Sequence, residues 1–279
     1  NRQYMYVPIL VNKGCPYPCI YCPYPIGFGK KSIFRSPKEI VDEIEYLYNE
    51  HKIKGFLLRG ASFALNLKHA EKICDEIIRR KLEIAWFCEL RVNEVTKDLL
   101  KKMKKSGCKR IHYGVETGDP ELLKIAKPGV TQETIKRAFR LAREIGMWVQ
   151  AHMVLGWPDE DLKTLENTYK LILELNPDSI NWNFMTPYPG TKIREIARKD
   201  SLILTNDWSY YTSHTVVMRS KNLDARQLYM AKRRIIRGLA KQKMRKLISQ
   251  LNLYDLKQLR SLLNKTKDLV SRIIFPQNY

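Results

Sequence analysis

Strand-like and helix-like stretches alternate along the first two hundred residues of this chain. Patterns typical of strands fall at 4–11, 55–60, 83–90, 108–115, 147–156 and 179–185. Helical patterns lie between them at 36–51, 66–80, 96–106, 119–146 (broken at Pro128–Gly129), 160–175 and near 190–200. Six strands separated by helices predict repeated βαβ units and therefore a parallel sheet. A doubly wound sheet and a partial barrel fit this periodicity equally well.

The chain changes character near residue 224, where the sequence becomes strongly basic. Residues 219–279 carry 16 Lys and Arg against 3 acidic residues, so +13 of the net charge of +21 lies there. Apolar residues recur at Leu228, Ala231, Ile235 and Leu239, and again at Leu256, Leu259, Leu263 and Val270. These spacings predict two amphipathic helices. We therefore expect a core domain over 1–205 and a basic helical extension over 206–279.

The basic extension has two readings. A solvated helix face that packs its apolar side on the core explains the pattern without any partner. If the charge is functional, a basic surface attracts polyanions, and an anionic membrane surface and tRNA are the two candidates. The absence of a recognisable nucleic-acid module favours the membrane or a lipid substrate slightly.

Three cysteines, Cys15, Cys19 and Cys22, lie within eight residues after the first predicted strand. Gly14 and the neighbouring prolines exclude a helix there and let the loop curve around a bound group. Three thiolates at this spacing can hold one face of a four-iron cluster and leave one iron without a protein ligand. A structural zinc ion would need a fourth ligand, and a redox pair would use Cys19 and Cys22 alone. Spacing alone leaves all three possibilities open.

The other three cysteines, Cys74, Cys88 and Cys108, fall in helix or strand patterns, and we expect them to be buried small apolar residues. The crowded loop cysteines are poorly placed for disulfides, which favours a reducing cytoplasm. Neither an apolar run of membrane-spanning length nor a signal peptide is recognisable. The chain starts at Asn1 rather than Met, which is compatible with a longer polypeptide. Its Lys, Ile and Glu content suits a thermophile.

The cysteine spacing, with Tyr21 just before the last cysteine, resembles the signature of the radical S-adenosylmethionine (SAM) superfamily. Further segments resemble the third-, fourth-, fifth- and sixth-strand motifs of that superfamily, in the right order. They are WFCELRVNEV (86–95), GVETGDPELL (114–123), MVLGWPDED (153–161) and MTPYPGTKI (185–193). The resemblance runs from about residue 5 to 200, and the ordered set is more specific than any single motif.

The resemblance implies an α/β fold of a particular kind, a partial (β/α)6 TIM-like barrel with SAM bound across the carboxyl ends of the strands. It also implies a 4Fe-4S cluster on Cys15, Cys19 and Cys22, the catalytic and metal-binding residues. Reductive cleavage of SAM would give methionine and a 5′-deoxyadenosyl radical, which abstracts hydrogen from an unreactive carbon. A reductant such as ferredoxin or flavodoxin would supply the electron.

Period-two alternation places one polar face of each strand toward the barrel interior. With the resemblance, it predicts Glu89 or Arg91 at the methionyl end of SAM and Glu116 at the ribose hydroxyls. The remaining expected cofactor-binding residues are Tyr21, Gly60, Ser62, His152, Gly156 and Met185. A buried structural imidazole explains His152 equally well.

The segment LRGASF (58–63) departs from the pattern of many relatives, which place a carboxylate there to hold the SAM amino group. It resembles instead a subgroup whose members often carry an upstream cobalamin-binding domain, and this makes cobalamin a candidate cofactor. Backbone carbonyls near Gly60 and Ser62 are then expected to hold the amino group.

Three functions follow, in order of preference. The first is a radical SAM enzyme that activates an unreactive carbon, with cobalamin-dependent methyl transfer to a lipid or natural product as the leading subtype. The second is a radical SAM enzyme that modifies tRNA, for which the positive charge is the motive. The third is a zinc-stabilised nucleic-acid-binding module, whose binding would fall steeply with salt.

Overall fold

The computed structural model describes residues 6–249, which are built around one sheet of six parallel strands. The strands are β1 (Tyr6–Leu10), β2 (Asn12–Lys13), β3 (Ile33–Phe34), β4 (Gly55–Arg59), β5 (Ala85–Arg91), β6 (Cys108–Glu116), β7 (Trp148–Leu155) and β8 (Ser179–Phe184). The large sheet has the order β1-β4-β5-β6-β7-β8, and β2 pairs with β3 in a small antiparallel ribbon. The predicted parallel arrangement of six strands is confirmed, and the sheet curves into a partial barrel. The β2–β3 ribbon was not predicted.

Helices connect the strands and cover the outside of the sheet. They are α1 (Tyr24–Phe28), α2 (Pro37–His51), α3 (Leu67–Arg79), α4 (Lys97–Lys105), α5 (Pro120–Ala126), α6 (Gln132–Ile145), α7 (Leu162–Leu175), α8 (Lys192–Lys199) and α9 (Ala225–Ser249). The helix starts follow from side-chain caps: the Ser36 hydroxyl accepts from the Glu39 N–H, and Asn66 accepts from the His69 N–H. The predicted break at Pro128–Gly129 separates α5 from α6.

The two faces of the sheet have different roles. Trp86, Cys88 and Leu90 of β5 belong to the large apolar core between sheet and helices, as do Ile111, Tyr113 and Val115 of β6. Phe87 and His112 alternate with them and contact each other inside the barrel, with ring centroids 5.0 Å apart. Cys74, Cys88 and Cys108 are all buried, as predicted. The period-two assignment of faces therefore agrees with the structure on these strands.

The amino-terminal end of the barrel interior is closed by a cluster that we call the floor: Tyr6, Phe87, Arg110 and Trp148. The Arg110 guanidinium lies 5.3 Å from the ring centroids of Tyr6 and Phe87 and 5.6 Å from that of Trp148. The Tyr6 and Phe87 rings meet edge to face at 4.9 Å. Aromatic packing around one cation therefore fills this end of the barrel.

The start of the extension returns to the barrel and contacts it through several hydrogen bonds. The Ser220 hydroxyl donates to the Glu160 carbonyl at 2.8 Å, and Ile203 pairs with Met218 in an isolated bridge. The first predicted tail helix is α9, whose buried Leu228, Ile235 and Leu239 join the large core. The second predicted helix lies outside the described residues. The division at residue 205 stays a prediction.

Within residues 6–249, the structure has no helix that is long and apolar enough to cross a bilayer.

Candidate active site

The loop that carries Cys15, Cys19 and Cys22 begins at a position that only glycine can occupy. Gly14 has φ +78°, and a Cβ there would lie 1.9 Å from the Lys31 carbonyl oxygen. The Cys15 N–H donates to the Gly29 carbonyl at 3.0 Å and closes the loop. The loop therefore folds back on itself beside the carboxyl ends of the strands, where open α/β sheets bind ligands.

The three loop cysteines line one cavity of about 140 Å³ together with residues from β5, β6 and β7. All three are half-buried and free of disulfides. Burial raises the pKa of the Cys15 thiol and raises that of Cys22 to about 11. A bound metal would have to displace these protons, because the thiolate is the ligand. The cavity therefore joins three potential metal ligands to the polar interior of the barrel.

Arg91, the last residue of β5, points its guanidinium at the cysteine loop. Its Nη1 donates to the Cys19 sulfur at 3.3 Å, and its Cζ lies 3.6 Å from the centroid of the Tyr17 ring. Arg91 is buried, yet its Nε and Nη2 groups have no hydrogen-bond partner within residues 6–249. Buried donors of a charged group are costly to leave unpaired, so these two N–H groups favour an anionic ligand in the cavity.

A polar network behind Arg91 fixes its position. The Ser62 hydroxyl accepts from the Arg91 backbone N–H at 3.1 Å and donates to the Glu94 carboxylate. The Tyr17 hydroxyl donates to the other oxygen of Glu94 at 3.1 Å. Burial raises the pKa of Glu94. Glu94 thus connects Ser62, which binds the Arg91 backbone, to Tyr17, whose ring lies against the Arg91 guanidinium.

Glu116, at the end of β6, is held by a buried lysine. The Lys127 Nζ donates to Glu116 Oε1 at 3.0 Å and to the Gly114 carbonyl at 2.7 Å. Tyr21 lies against Glu116, and burial raises the pKa of this phenol well above its ordinary value. The Tyr21 ring also meets Trp157 edge to face at 5.4 Å. The carboxylate therefore sits in a buried setting at the edge of the cavity.

Two histidines line the same cavity on the neighbouring strands, His112 beside Glu89 and His152 beside Gly114. The rings of His112 and His152 are 5.2 Å apart, and His152 Nε2 lies 3.3 Å from the Gln150 side-chain oxygen. Burial lowers the pKa of both imidazoles, that of His112 to about 2. Both rings are therefore neutral at physiological pH and supply polarity without charge.

A second cavity of about 310 Å³ adjoins the first and shares Tyr21, Cys22, Glu116 and His152 with it. Its other walls include Asn183 of β8 and Met185. The combined size and mixed polarity of the two cavities suit a cofactor with one charged end and one aromatic end.

Gly156 lies behind Met185 and is not among the residues that line the second cavity. It has φ +92°, and a Cβ there would lie 3.6 Å from the Met185 Cβ. The Gly156 N–H donates to Glu160, a fully buried carboxyl whose pKa is raised to about 8 by burial. The turn after β7 is therefore held by a largely protonated glutamic acid.

Most of the predicted site residues come together in these two cavities. Lining residues include Cys15, Cys19, Cys22, Tyr21, Glu89, Arg91, Glu116, His152 and Met185. Gly60 and Ser62 lie behind the wall, which Ala61 forms instead. Asn12 fixes the position of this segment. Its Nδ2 donates to the Ser62 carbonyl at 2.9 Å, and its Oδ1 accepts from the Ala61 N–H. The individual roles of these residues stay predictions.

Sequence reasoning missed Lys127, Glu94 and Tyr17. Lys127 sits just after α5, where a basic residue is common at any helix end. Glu94 and Tyr17 meet only because the loop folds over β5. The sequence signals for two of them were their positions, Glu94 inside the third-strand motif 86–95 and Tyr17 between Cys15 and Cys19.

The donor set fits a cluster better than a single metal ion. No group of three or more His, Cys, Asp or Glu side chains within residues 6–249 is arranged to hold one ion. The three thiols instead surround a shared cavity, which Arg91 also lines. Cys15, Cys19 and Cys22 would hold a 4Fe-4S cluster there.

The family model of the radical SAM superfamily matches residues 9–172 of this chain. An uncharacterized methyltransferase of Pyrococcus horikoshii, PH0819, is 31% identical over 220 residues, which are 79% of this chain and 48% of that protein. The anaerobic magnesium-protoporphyrin IX monomethyl ester cyclase of Cereibacter sphaeroides is 32% identical over 238 residues, 81% of this chain and 38% of that protein. The chain thus spans less than half the length of these relatives.

Among solved structures, the radical SAM methyltransferase TsrM of Kitasatospora setae, with cobalamin and a 4Fe-4S cluster bound, has the same fold. The TM-score is 0.66 at 23% identity, covering 80% of this chain and 46% of that one. This likeness supports the partial barrel, since identity at that level shows the fold alone.

Proposed function

The chain belongs to the radical SAM superfamily, and we propose that it is the catalytic barrel of an enzyme that cleaves SAM reductively to activate an unreactive carbon. The observation that carries this proposal is the single cavity lined by Cys15, Cys19, Cys22, Arg91 and Glu116 at the carboxyl ends of the strands. The family implies a 4Fe-4S cluster and SAM as cofactors. When bound, this cluster supplies one electron that splits SAM into methionine and a 5′-deoxyadenosyl radical.

The residues of the cavity divide the work of holding SAM. The two unbonded N–H groups of Arg91 would bind the methionyl carboxylate. Glu116 would accept from the ribose hydroxyls, because it lies where the two cavities meet. The second cavity, with Gly156 behind it and Met185 in its wall, would hold the adenine. Backbone carbonyls near Gly60 remain the proposed partner of the amino group.

Cobalamin-dependent methyl transfer is the proposed subtype. PH0819 is named as a methyltransferase, and the TsrM structure holds cobalamin and a 4Fe-4S cluster. The alignments cover only 48% and 38% of these relatives, so a cobalamin-binding part would lie outside the matched region. The proposed target is a carbon of a lipid or natural product, and a ferredoxin or flavodoxin in the cytoplasm is the proposed reductant.

The basic extension supports an anionic partner held by charge. Leu228, Ile235 and Leu239 of α9 are buried against the barrel, so this face is not available to a membrane interior. The outward face presents five exposed cations without an ion pair inside residues 6–249: Arg226, Arg233, Arg237, Lys241 and Arg245. Such a face suits a lipid headgroup surface, and it equally supports tRNA modification as the second candidate function.

The test uses the full-length protein, purified without oxygen and reconstituted with iron and sulfide. With dithionite and SAM, we expect a brown protein that yields 5′-deoxyadenosine by mass spectrometry. Cys19→Ala should abolish the product, whereas Cys74→Ala, which removes a buried thiol of α3, should keep it. A colourless protein that leaves SAM intact would refute the proposal.

If deoxyadenosine forms, the subtype is tested by adding hydroxocobalamin. Binding of cobalamin together with formation of S-adenosylhomocysteine supports methyl transfer. SAM cleavage that is indifferent to cobalamin argues for another radical reaction. Binding of tRNA against binding of anionic vesicles, each measured at rising salt, then separates the two proposed partners of α9.

A further inference from the structure

Lys127 is a buried cation whose two hydrogen-bond acceptors both belong to β6. The side chain of Lys127 is 4% exposed, and that of its partner Glu116 is 9% exposed. A buried ion pair gains little net stability, because desolvation of both charges offsets their attraction. A contribution to stability alone therefore does not explain why a buried lysine binds Glu116 and Gly114 of β6.

The local backbone is arranged around this pair. Gly114 leaves the space through which the lysine passes, since a Cβ there would lie 2.4 Å from Lys127 Nζ and 2.5 Å from Glu116 Oε1. The β6–β7 register shifts between Gly114 and Glu116, and Glu116 itself has φ +70°. A non-glycine residue in this region of φ is strained. The strand thus bends out of its regular path at the residue that Lys127 holds.

We infer that Lys127 is a positioning residue, which fixes the Glu116 carboxylate toward the ribose hydroxyls of SAM. By occupying Oε1 and the Gly114 carbonyl together, the amine ties the side chain of Glu116 to its own strand. The carboxylate is then held in one orientation at the junction of the two cavities before SAM arrives. Preorganisation of this kind favours the ligand that carries the matching donors. The inference rests on the proposed function, which places SAM in these cavities.

The test measures how strongly the protein prefers SAM to its 2′,3′-dideoxyribose analogue. Dissociation constants are measured by equilibrium dialysis, without reductant, on the full-length protein with its cluster. We expect the wild type to prefer SAM by about 100-fold or more, as for two hydrogen bonds to a charged acceptor. In Lys127→Met the preference should fall below about 3-fold, while affinity for the analogue changes little.

Glu116→Gln is the matched variant and should lose the same preference. Lys127 itself also lines the first cavity, so the double variant tests whether it acts through Glu116: it should then lose no more than either single variant. If Lys127→Met fails to keep its cluster, Lys127→Gln provides the second variant. It can still donate to the Gly114 carbonyl but lacks the charge, and it should also lose the preference.

Two results would overturn the inference while leaving the proposed function intact. One is a lysine variant that keeps the full preference for SAM. The other is a parallel loss of affinity for SAM and analogue, which would mean that Lys127 only supports the wall. If the wild type binds no SAM at all, the proposed function fails and the inference fails with it.

Discussion

The two ends of the barrel interior each contain a buried or partly buried arginine, and they use it differently. In the floor, Arg110 lies among the rings of Tyr6, Phe87 and Trp148. At the opposite end, which we call the mouth, Arg91 contacts the Cys19 sulfur and the Tyr17 ring but keeps two N–H groups unbonded within residues 6–249. A cation enclosed by rings stabilises the fold, whereas one with spare donors is prepared for a ligand.

The largest effect is expected at the mouth, from Arg91→Met. This change removes the two spare donors and the contact with Cys19 but keeps an apolar side chain of similar length. SAM affinity should fall about 100-fold, which corresponds to about 2.7 kcal/mol for a lost charge-assisted pair. The free energy of unfolding should change by less than about 1 kcal/mol, because the variant also avoids desolvating a charge. Unchanged SAM affinity would contradict a ligand-binding role for Arg91.

The same substitution in the floor should have the opposite profile. Arg110→Met removes a cation that lies within 5.3–5.6 Å of three ring centroids. We expect a loss of about 1–2 kcal/mol in the free energy of unfolding, measured by urea denaturation. Cluster content and SAM affinity should stay at the wild-type level. A variant that lost SAM binding while keeping its stability would show that the two ends are not functionally separate.

The sequence was sufficient for the features that depend on local pattern. Ser36 and Asn66 mark helix starts through caps that involve only the next three residues. Period-two alternation placed Glu89 and Arg91 on the inner face of β5. The cysteine loop could be predicted because its ligands are close together in sequence. Each of these signals lies within one element of the fold.

The parts that could not be predicted depend on contacts between elements. The side chain of Lys127 binds the Gly114 carbonyl, although α5 separates the two residues in the sequence. Nothing in the sequence near Lys127 indicates this contact. The pairing of β6 with β7 shifts between Gly114 and Glu116, and nothing in the local sequence marks that shift. The floor combines residues from four separate strands or strand ends, so no single segment of sequence indicates it. These features exist only once the strands are paired.

The smallest effect concerns pH, where buried groups of the two regions should act in opposite directions. Next to the floor, burial and His152 lower the pKa of His112 from 6.5 to about 2, so the unfolded chain binds a proton that the folded chain does not. Stability from this group is lost as the pH falls through about 6.5. At the mouth, burial raises the pKa of Glu160 from 4.5 to about 8, so the folded chain keeps a proton that the unfolded chain releases. Stability from this group is lost as the pH rises from about 4.5 to 8.

Between pH 5 and 7 each group should shift the free energy of unfolding by about 1–2 kcal/mol, with opposite signs. Other buried groups with shifted pKa values, such as His152 and Glu94, are shared by the wild type and the variants, so each variant is compared with the wild type. Glu160→Gln should become more stable as the pH rises, and His112→Asn less stable, when urea midpoints are measured at pH 5, 6 and 7. The surface groups are common to all three proteins, so they drop out of the differences between them. Parallel curves for both variants and the wild type would mean that neither group keeps its folded protonation state, and the contrast between the two ends would then rest on the arginines alone.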